Sequence, residues 1–368
     1  MTYLDNGATS FHKPETVYRA VQCAMANCAN PGRGGYTAAM AAAKVVLRCR
    51  EQAAALFHCQ PEQVVMTGNC TQGLNIAIET LVKPGARVVI SGFEHNAVTR
   101  PLRHRHAQLK IAGRKLFDWE DTLKEFENAL RGGADAAVFT HVSNVFGYIL
   151  PIYEMGALCR QYGVPFVLDA AQGAGMLPID LQKLGADFIA MPGHKGLLGP
   201  QGTGLLLCGR NPVPLIQGGT GSLSKEQDMP DFLPDMAEAG TLNVPGIAGL
   251  AAGIEYVRKQ GTGRILAREQ QEARRCGEKL KRLGIRVFMG ENQSGTISFV
   301  PDMDCEDMAR LLGERGIAVR AGLHCAPFAH ISAGTAQTGT VRVSFGHDAA
   351  PWQTGNLLLE VEKLTAQK

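Results

Sequence analysis

The sequence lacks the motifs that identify several common classes of protein. No Gly-x-Gly-x-x-Gly occurs, and the glycine-rich segment 199–204 is not followed by the Gly-Lys-Ser/Thr of a P-loop. The ten cysteines form no Cys-x-x-Cys pair, and the two His-Cys pairs, at 58–59 and 324–325, lack the spacing that gathers four metal ligands. We therefore predict no dinucleotide site, no disulfide framework and no metal centre.

Net charge and long apolar runs are also scarce. The 368 residues carry a formal charge of +3, which is too small to favour nucleic acid or a membrane surface as a partner. No apolar stretch has the length of a membrane span, and the first residues lack the basic and apolar segments of a signal peptide. With 45% hydrophobic and 19% charged residues, the composition predicts a cytoplasmic globular protein with one large and one smaller core.

Two apolar runs in the middle of the chain end in polar side chains. Asp169 and Gln172 follow the first run, and His194 and Lys195 follow the second. In open α/β sheets, ligands bind beyond the carboxyl ends of the strands. An amine and a carboxylate placed there suit pyridoxal phosphate, because Lys195 would condense with the aldehyde while Asp169 keeps the ring nitrogen protonated, and Gln172 would donate to the ring hydroxyl. The alternative is that Asp169 caps a helix and Lys195 is a solvated loop amine.

A strand, a small polar turn and the start of a helix follow one another at residues 63–81. This order puts free backbone N–H groups and the positive end of a helix at Cys70 and Thr71, which suits a phosphate. The alternative is that Thr71 only caps the helix. Further strands at 87–91 and 136–140 alternate with helical stretches, and this order predicts a mainly parallel sheet.

The segments Asp-Ala-Ala-Gln at 169–172 and Gly-His-Lys-Gly at 193–196 resemble those of class V pyridoxal phosphate enzymes, specifically cysteine desulfurases and selenocysteine lyases. The similarity runs from Tyr3 to Phe345. It implies fold type I, with a large domain (14–255) built on a mainly parallel seven-stranded sheet and a smaller α+β C-terminal domain (256–368). An N-terminal arm (1–13) is expected to pack with the smaller domain.

The resemblance also implies roles for residues around the cofactor. His95 would stack on the pyridine ring and move protons, and Asn144 would bind the ring hydroxyl and the substrate carboxylate. His194 and Thr241 would help to bind the phosphate, Thr241 across the interface of a homodimer with shared active sites. Arg33 matches an arginine that faces the active site. For isolated residues the alternatives are a structural histidine at 95, a surface loop around Thr241 and a solvated cation at Arg33.

Two positions depart from the family pattern at the phosphate. Relatives often carry Ser or Thr where this chain has Pro192, and many carry Thr where it has Cys70. Pro192 can make no hydroxyl contact, so anchoring would rely on the remaining phosphate residues.

The segment Arg320-Ala-Gly-Leu-His-Cys325 resembles the Arg-x-Gly-x-x-Cys element around the family's nucleophile. Cys325 would take the substrate sulfur as a persulfide, from a loop made mobile by the Gly, Thr and Ser residues of 331–339. Arg342 would hold the substrate carboxylate, with Arg320 as a further substrate-binding residue. The implied reaction converts L-cysteine to L-alanine, with pyridoxal 5'-phosphate held by Lys195 as a Schiff base and the sulfur passed on to an acceptor protein.

Other functions remain open at this stage. Selenocysteine lyases use almost the same residues, and in a class V aminotransferase or β-eliminating lyase Cys325 would be incidental. A non-enzymatic scaffold of the same fold, binding a sulfur-carrier partner, is the third alternative.

Overall fold

The computed structural model describes residues 1–32 and 34–366, so the predicted role of Arg33 lies outside the described residues. The strands are β1 (Thr2–Tyr3), β2 (Val64–Thr67), β3 (Arg87–Ser91), β4 (Gln108–Ala112), β5 (Ala136–Thr140), β6 (Phe166–Asp169), β7 (Phe188–Pro192), β8 (Gly204–Cys208), β9 (Arg286–Phe288), β10 (Thr296–Val300), β11 (Ile317–Ala318), β12 (Arg320–Gly322) and β13 (Thr340–Ser344). The helices are α1 (Glu15–Asn27), α2 (Thr37–Phe57), α3 (Cys70–Leu81), α4 (Asn96–His104), α5 (Trp119–Arg131), α6 (Ile152–Gln161), α7 (Leu181–Leu184), α8 (Val244–Gln260), α9 (Thr262–Arg282), α10 (Cys305–Glu314), α11 (Pro327–Ala333) and α12 (Pro351–Ala366).

The central sheet has seven strands in the order β2-β8-β7-β6-β5-β3-β4. The strands from β7 to β4 run parallel, whereas β8 is antiparallel to both β2 and β7. Every residue of β2, β5, β6, β7 and β8 is buried, as expected of strands covered by helices on both faces. The predicted α/β class with a mainly parallel seven-stranded sheet is confirmed.

The parallel strands bring three chain segments together at one edge of this sheet. Thr140 at the end of β5 is in register with Asp169 at the end of β6, and Asp169 is in register with Ala190 of β7. Lys195 follows β7 directly along the chain. The two polar strand ends recognised in the sequence are therefore neighbours in space.

A second, antiparallel sheet has the order β12-β13-β10-β9 and packs with α9, α10 and α12 around its own apolar core. The N-terminal strand β1 pairs with β11, and Leu4 belongs to this second core. The first residues of the chain therefore pack with its C-terminal part. The boundary between the two predicted domains at 255/256 stays a prediction.

Three local expectations differ from the structure. The apolar run at 317–320 predicts a single strand, but the chain divides at Val319 into β11, which pairs with β1, and β12, which pairs with β13. The edge strand β4 was not predicted, since it carries the exposed Gln108 and Lys110 and has no continuous apolar run. The segment 331–339, expected to be a mobile loop, begins inside α11 and continues with Thr335 buried and hydrogen-bonded.

Candidate active site

Eight of the predicted site residues line one cleft at the carboxyl ends of β5, β6 and β7. The cleft encloses about 550 Å³ of empty space, part of it open to solvent, which suits a small ligand. These eight residues are Cys70, Thr71, His95, Asn144, Asp169, Gln172, His194 and Lys195. The structure thus gathers side chains from across the large sheet at the predicted position, and their chemical roles stay predictions.

The Lys195 amine lies in this cleft beside both positive and negative groups. Burial lowers its pKa below the usual value, and the Arg342 guanidinium lowers it further, whereas the Asp169 carboxylate acts in the opposite direction. A lowered pKa increases the fraction of neutral amine, which is the form that attacks a carbonyl.

Asp169 is buried at the end of β6, where its carboxylate is held in place by two donors. The Ala171 N–H donates to Oδ1 at 2.9 Å, and the Cys70 thiol contacts the same oxygen at 3.6 Å. Both contacts use Oδ1, which leaves Oδ2 available for a ligand. Burial raises the pKa of the Cys70 thiol, so it stays protonated and donates to the carboxylate.

The N-terminus of α3 supplies the predicted anion-binding end of the cleft. Asn69 is the cap, because its side chain accepts from the Gln72 N–H at 2.9 Å, so the alternative of capping by Thr71 is wrong. The first backbone N–H groups, at Cys70 and Thr71, come before the intrahelical ladder begins. The Cys70 side chain points to Asp169, so only its backbone is suited to a phosphate.

Two histidines of the cleft are held in neutral forms. His95 Nδ1 accepts from the Ala97 N–H at 3.0 Å, so a neutral ring carries its proton on Nε2, and burial lowers its pKa. His194 Nδ1 lies 3.0 Å from Thr9 Oγ1, and burial beside Lys195 and Lys13 lowers its pKa to about 4.

The two cleft amides already have partners outside the cleft. Gln172 Nε2 donates to the Gly7 carbonyl at 2.9 Å, and Asn144 Nδ2 donates to the His324 carbonyl at 2.8 Å. Asn144 Oδ1 is buried and has no partner among the residues described, which is costly unless a ligand donates to it.

Asp5 is a residue of this region to which the sequence assigned no role. Its Oδ1 accepts from Arg342 Nη2 at 2.6 Å, and its Oδ2 accepts from Arg320 Nε at 3.1 Å. Arg342 is buried, with Nη1 donating to the Asn144 carbonyl at 3.0 Å and Nε without a partner in the described part of the chain. The two predicted substrate arginines therefore share one carboxylate beside the cleft. No local sequence signal predicted this pairing, because 337 positions separate Asp5 from Arg342.

Cys325 is exposed on the turn between β12 and α11. Its carbonyl accepts from the Asn96 N–H at 2.7 Å, and Asn96 follows the cleft residue His95. The preceding carbonyl, of His324, is the one held by Asn144. The turn that presents the thiol is therefore fastened to two segments of the cleft wall.

Thr241 lies elsewhere in the chain. It is exposed and lines a different cleft, beside the buried ion pair of Arg50 and Glu238. The structure therefore does not bring Thr241 to Lys195 within one subunit.

Neither a membrane span nor a metal site is present in the described ranges. No helix there is long and apolar enough to cross a membrane. No group of three or more His, Cys, Asp or Glu side chains there is placed to hold a metal ion.

The unfolding free energy should fall as pH decreases from about 6.5, because buried histidines are neutral in the fold. Burial lowers the pKa of His141 to about 3, of His324 to about 3 and of His330 to about 4. At pH values between these folded-state pKa values and about 6.5, the unfolded chain binds more protons than the folded protein. Each histidine therefore lowers the free energy of unfolding by up to about 1.4 kcal/mol for each pH unit of acidification. Urea unfolding at pH 7.5, 6.5 and 5.5 measures the effect.

His141→Gln provides the control for this titration. The variant should show a smaller decrease in unfolding free energy over the same pH range, whatever its stability at pH 7.5. A stability that stays constant from pH 7.5 to 5.5 would contradict the neutral, buried state of these rings.

The residues of the cleft fit pyridoxal phosphate. An amine with a lowered pKa matches the aldehyde, and a buried carboxylate matches the ring nitrogen. A helix N-terminus matches the phosphate, and an amide oxygen without a partner in the described chain matches the ring hydroxyl. The fold and the cleft define a pyridoxal phosphate-dependent enzyme of fold type I.

Comparison with known proteins identifies the family. The sequence model of the family Aminotransferase class-V matches residues 2–351, and the chain belongs to this family. A protein of Methanothermobacter thermautotrophicus named probable cysteine desulfurase is 34% identical in an alignment of 337 residues that covers 86% of this chain and 82% of the relative. A protein of Pyrococcus abyssi with the same name is 32% identical over 93% of this chain and 89% of its own length.

A comparison with solved structures also finds cysteine desulfurases. The apo structure of cysteine desulfurase from Thermococcus onnurineus NA1 superposes with a TM-score of 0.91 at 32% identity, covering 100% of this chain and 95% of that one. The recognition of the desulfurase family in the sequence is confirmed.

Proposed function

We propose that this protein is a pyridoxal phosphate-dependent cysteine desulfurase, in which L-cysteine and the Cys325 thiol give L-alanine and a persulfide on Cys325. The observation that carries the proposal is the exposed Cys325 thiol on a turn whose backbone is bound by Asn96 and Asn144, at the wall of the cleft that contains Lys195. A thiol fixed beside a cofactor cleft has a use in sulfur transfer that an aminotransferase does not require.

When bound, the cofactor would supply an aldehyde that reacts with amines and a ring that withdraws electrons from the substrate's α-carbon. Lys195 would hold the cofactor through its amine, and the same amine would move a proton at the substrate's α-carbon. Asp169 would keep the ring nitrogen protonated through its free Oδ2, and the backbone N–H groups of Cys70 and Thr71 would bind the phosphate.

Arg342 and Asn144 hold the amino-acid substrate. The buried Nε of Arg342 and the buried Oδ1 of Asn144 are polar atoms without partners in the described chain, and both lie next to the cleft. A substrate carboxylate would accept from the guanidinium, and a substrate amine or the cofactor hydroxyl would donate to the amide oxygen, so binding would satisfy both groups. Within the described part of the chain, the Arg320 guanidinium contacts Asp5, so its contribution is to orient that carboxylate.

The sulfur step balances without an external oxidant. The Cys325 thiolate attacks the substrate Sγ, so that an S–S bond forms while the substrate Cβ–S bond breaks. The electron pair of the broken bond stays on the carbon side and is protonated, and the proton lost by the Cys325 thiol accounts for the one gained by alanine. The persulfide then passes its outer sulfur to an acceptor, which the exposed position of Cys325 allows.

The enzyme is proposed to act as a cytoplasmic homodimer. Thr241 is exposed and lines a different cleft from the one that contains Lys195, which suits a contact with the phosphate of the partner subunit. The ten free thiols are compatible with a reducing compartment.

A visible spectrum recorded before and after addition of L-cysteine tests the proposed function. The purified protein should be yellow, its absorption should be bleached by borohydride, and L-cysteine should change the spectrum while alanine accumulates. A colourless protein that stays colourless when the cofactor is supplied, or a protein that forms no alanine from L-cysteine, would overturn the proposal.

Arg342→Lys should raise the KM for L-cysteine about tenfold to a hundredfold, because a hydrogen bond to a charged group contributes about 1.5–3 kcal/mol and lysine cannot form the paired contact. Steady-state kinetics of alanine formation give KM and kcat separately. Arg320→Lys is the matched control, since Arg320 contacts the same Asp5 from a more exposed position, and its KM should change less. Equal KM values for Arg342→Lys and the unchanged protein would exclude Arg342 from substrate binding.

A further inference from the structure

The turn that carries Cys325 has a backbone conformation that its residues disfavour. His324 and Cys325 have φ angles of 50° and 56°, in the left-handed region that residues other than glycine rarely adopt. Such a conformation persists only where the surroundings determine it, and it occurs often at functional sites. The contacts around this turn therefore decide where the thiol points.

A hydrogen-bonded chain of three buried side chains, Thr335, His330 and His324, ends on this turn. His324 Nε2 lies 3.1 Å from the Arg320 carbonyl, and His324 Nδ1 lies 3.4 Å from His330 Nε2. His330 Nδ1 lies 2.8 Å from the Thr335 hydroxyl. The two imidazole rings are nearly parallel, with an interplanar angle of 9° and centroids 5.6 Å apart.

When both rings are neutral, only one arrangement of protons satisfies every contact of this hydrogen-bonded chain. A carbonyl can only accept, so His324 carries its proton on Nε2, and its Nδ1 must accept. His330 therefore carries its proton on Nε2 and donates it to His324, which leaves His330 Nδ1 to accept from the Thr335 hydroxyl. Both rings are neutral at pH 7, because burial lowers their pKa values to about 3 and about 4.

The members of this chain act through the turn and not on the substrate. His330 is 0% exposed and Thr335 is 1% exposed, so neither can contact a ligand in the cleft. His324 closes the turn from Arg320 to Cys325 by bonding its ring to the first carbonyl of that segment, while its own carbonyl is held by Asn144. The ring and the carbonyl together fix a residue in the left-handed conformation, with Cys325 next to it.

We propose that Thr335, His330 and His324 are positioning residues whose directional hydrogen bonds hold the Cys325 turn in the conformation that presents the thiol to the substrate sulfur. The inference rests on the proposed function, since it concerns the step in which Cys325 attacks. It goes beyond that function by assigning residues of α11 and the segment after it to the sulfur step.

Thr335→Val removes the first donor of the chain and keeps the shape of the side chain. We expect kcat for alanine formation to fall about tenfold, a change in barrier of about 1.4 kcal/mol, because the turn samples other conformations. The KM for L-cysteine should stay within about twofold, and the spectral change on adding L-cysteine should be unaltered, since both precede the attack by the thiol. Thr335→Ser should restore kcat, and Thr338→Val, on the exposed part of the same segment, should have no effect.

A second measurement observes the two imidazole rings directly in the unchanged holoenzyme. Nitrogen-15 NMR of labelled histidine, with a His330→Gln sample for assignment, should show protons on Nε2 of both His324 and His330. A proton on Nδ1 of either ring, a Thr335→Val enzyme with the original kcat, or a Thr335→Ser enzyme as slow as Thr335→Val would each overturn the inference. Absence of alanine formation by the unchanged enzyme would instead overturn the proposed function, and the NMR result would still test the hydrogen-bond chain.

Discussion

Lys195→Ala should not retain a covalently attached cofactor, and it should form alanine at least about 10²–10⁴-fold more slowly. Positioned proton transfer alone contributes a factor in this range. The physical reason is that Lys195 is the amine of the cleft whose pKa is lowered by burial and by Arg342, so it is both nucleophilic and placed beside Asp169. Borohydride reduction followed by mass spectrometry of the digested protein identifies the modified lysine.

Lys13 provides the control, because it is a second amine with a lowered pKa in the same region. Burial lowers the pKa of Lys13 to about 8, and its Nζ donates to the Ser10 carbonyl at 2.9 Å. Lys13→Arg should keep the cofactor bound to Lys195 and should keep the visible absorption. If the reduced adduct of the unchanged protein were found on Lys13, the assignment of Lys195 would be wrong.

Cys325→Ala should separate sulfur transfer from the steps that precede it. The variant should form alanine from L-cysteine at least about a hundredfold more slowly, since removal of a covalent nucleophile commonly costs more than that. The spectral change on adding L-cysteine should remain, because Cys325 does not line the cleft around Lys195 and Asp169 and its removal leaves both in place. Stopped-flow absorbance and quantification of alanine measure the two effects in one sample.

Cys23 is the matched control for this substitution. It is also an exposed cysteine, but it lies on α1 and not on the turn between β12 and α11. Cys23→Ala should keep the original rate. A Cys325→Ala enzyme that forms alanine at the original rate would indicate a lyase or aminotransferase in which Cys325 is incidental, and it would also remove the basis for the role of the histidine chain.

The sheet and the centre of the site were predictable because each has a local signal in the sequence. The strands β5, β6 and β7 are short apolar runs that end abruptly in polar residues, and both faces of such strands are buried. Because the carboxyl ends of parallel strands share one edge of a sheet, the sequence predicts that Asp169 and Lys195 lie close together.

Other features have no local signal and depend on the folded chain. The ion pairs of Asp5 join the first residues to arginines more than 300 positions away, and no periodicity reports such a contact. The antiparallel insertion of β8 between β2 and β7 is likewise set by packing, since its sequence reads as one more apolar strand. The hydrogen bonds from Thr335 to His324 fall in a segment whose small polar residues resemble those of a flexible loop.

The most direct test of the account is a single turnover of the holoenzyme with L-cysteine in the absence of a sulfur acceptor, followed by mass spectrometry of the peptide that contains Cys325. The expected result is one alanine for each enzyme subunit and a peptide heavier by one sulfur atom at Cys325. Alanine formed without sulfur on Cys325, or sulfur carried by a different cysteine, would contradict it.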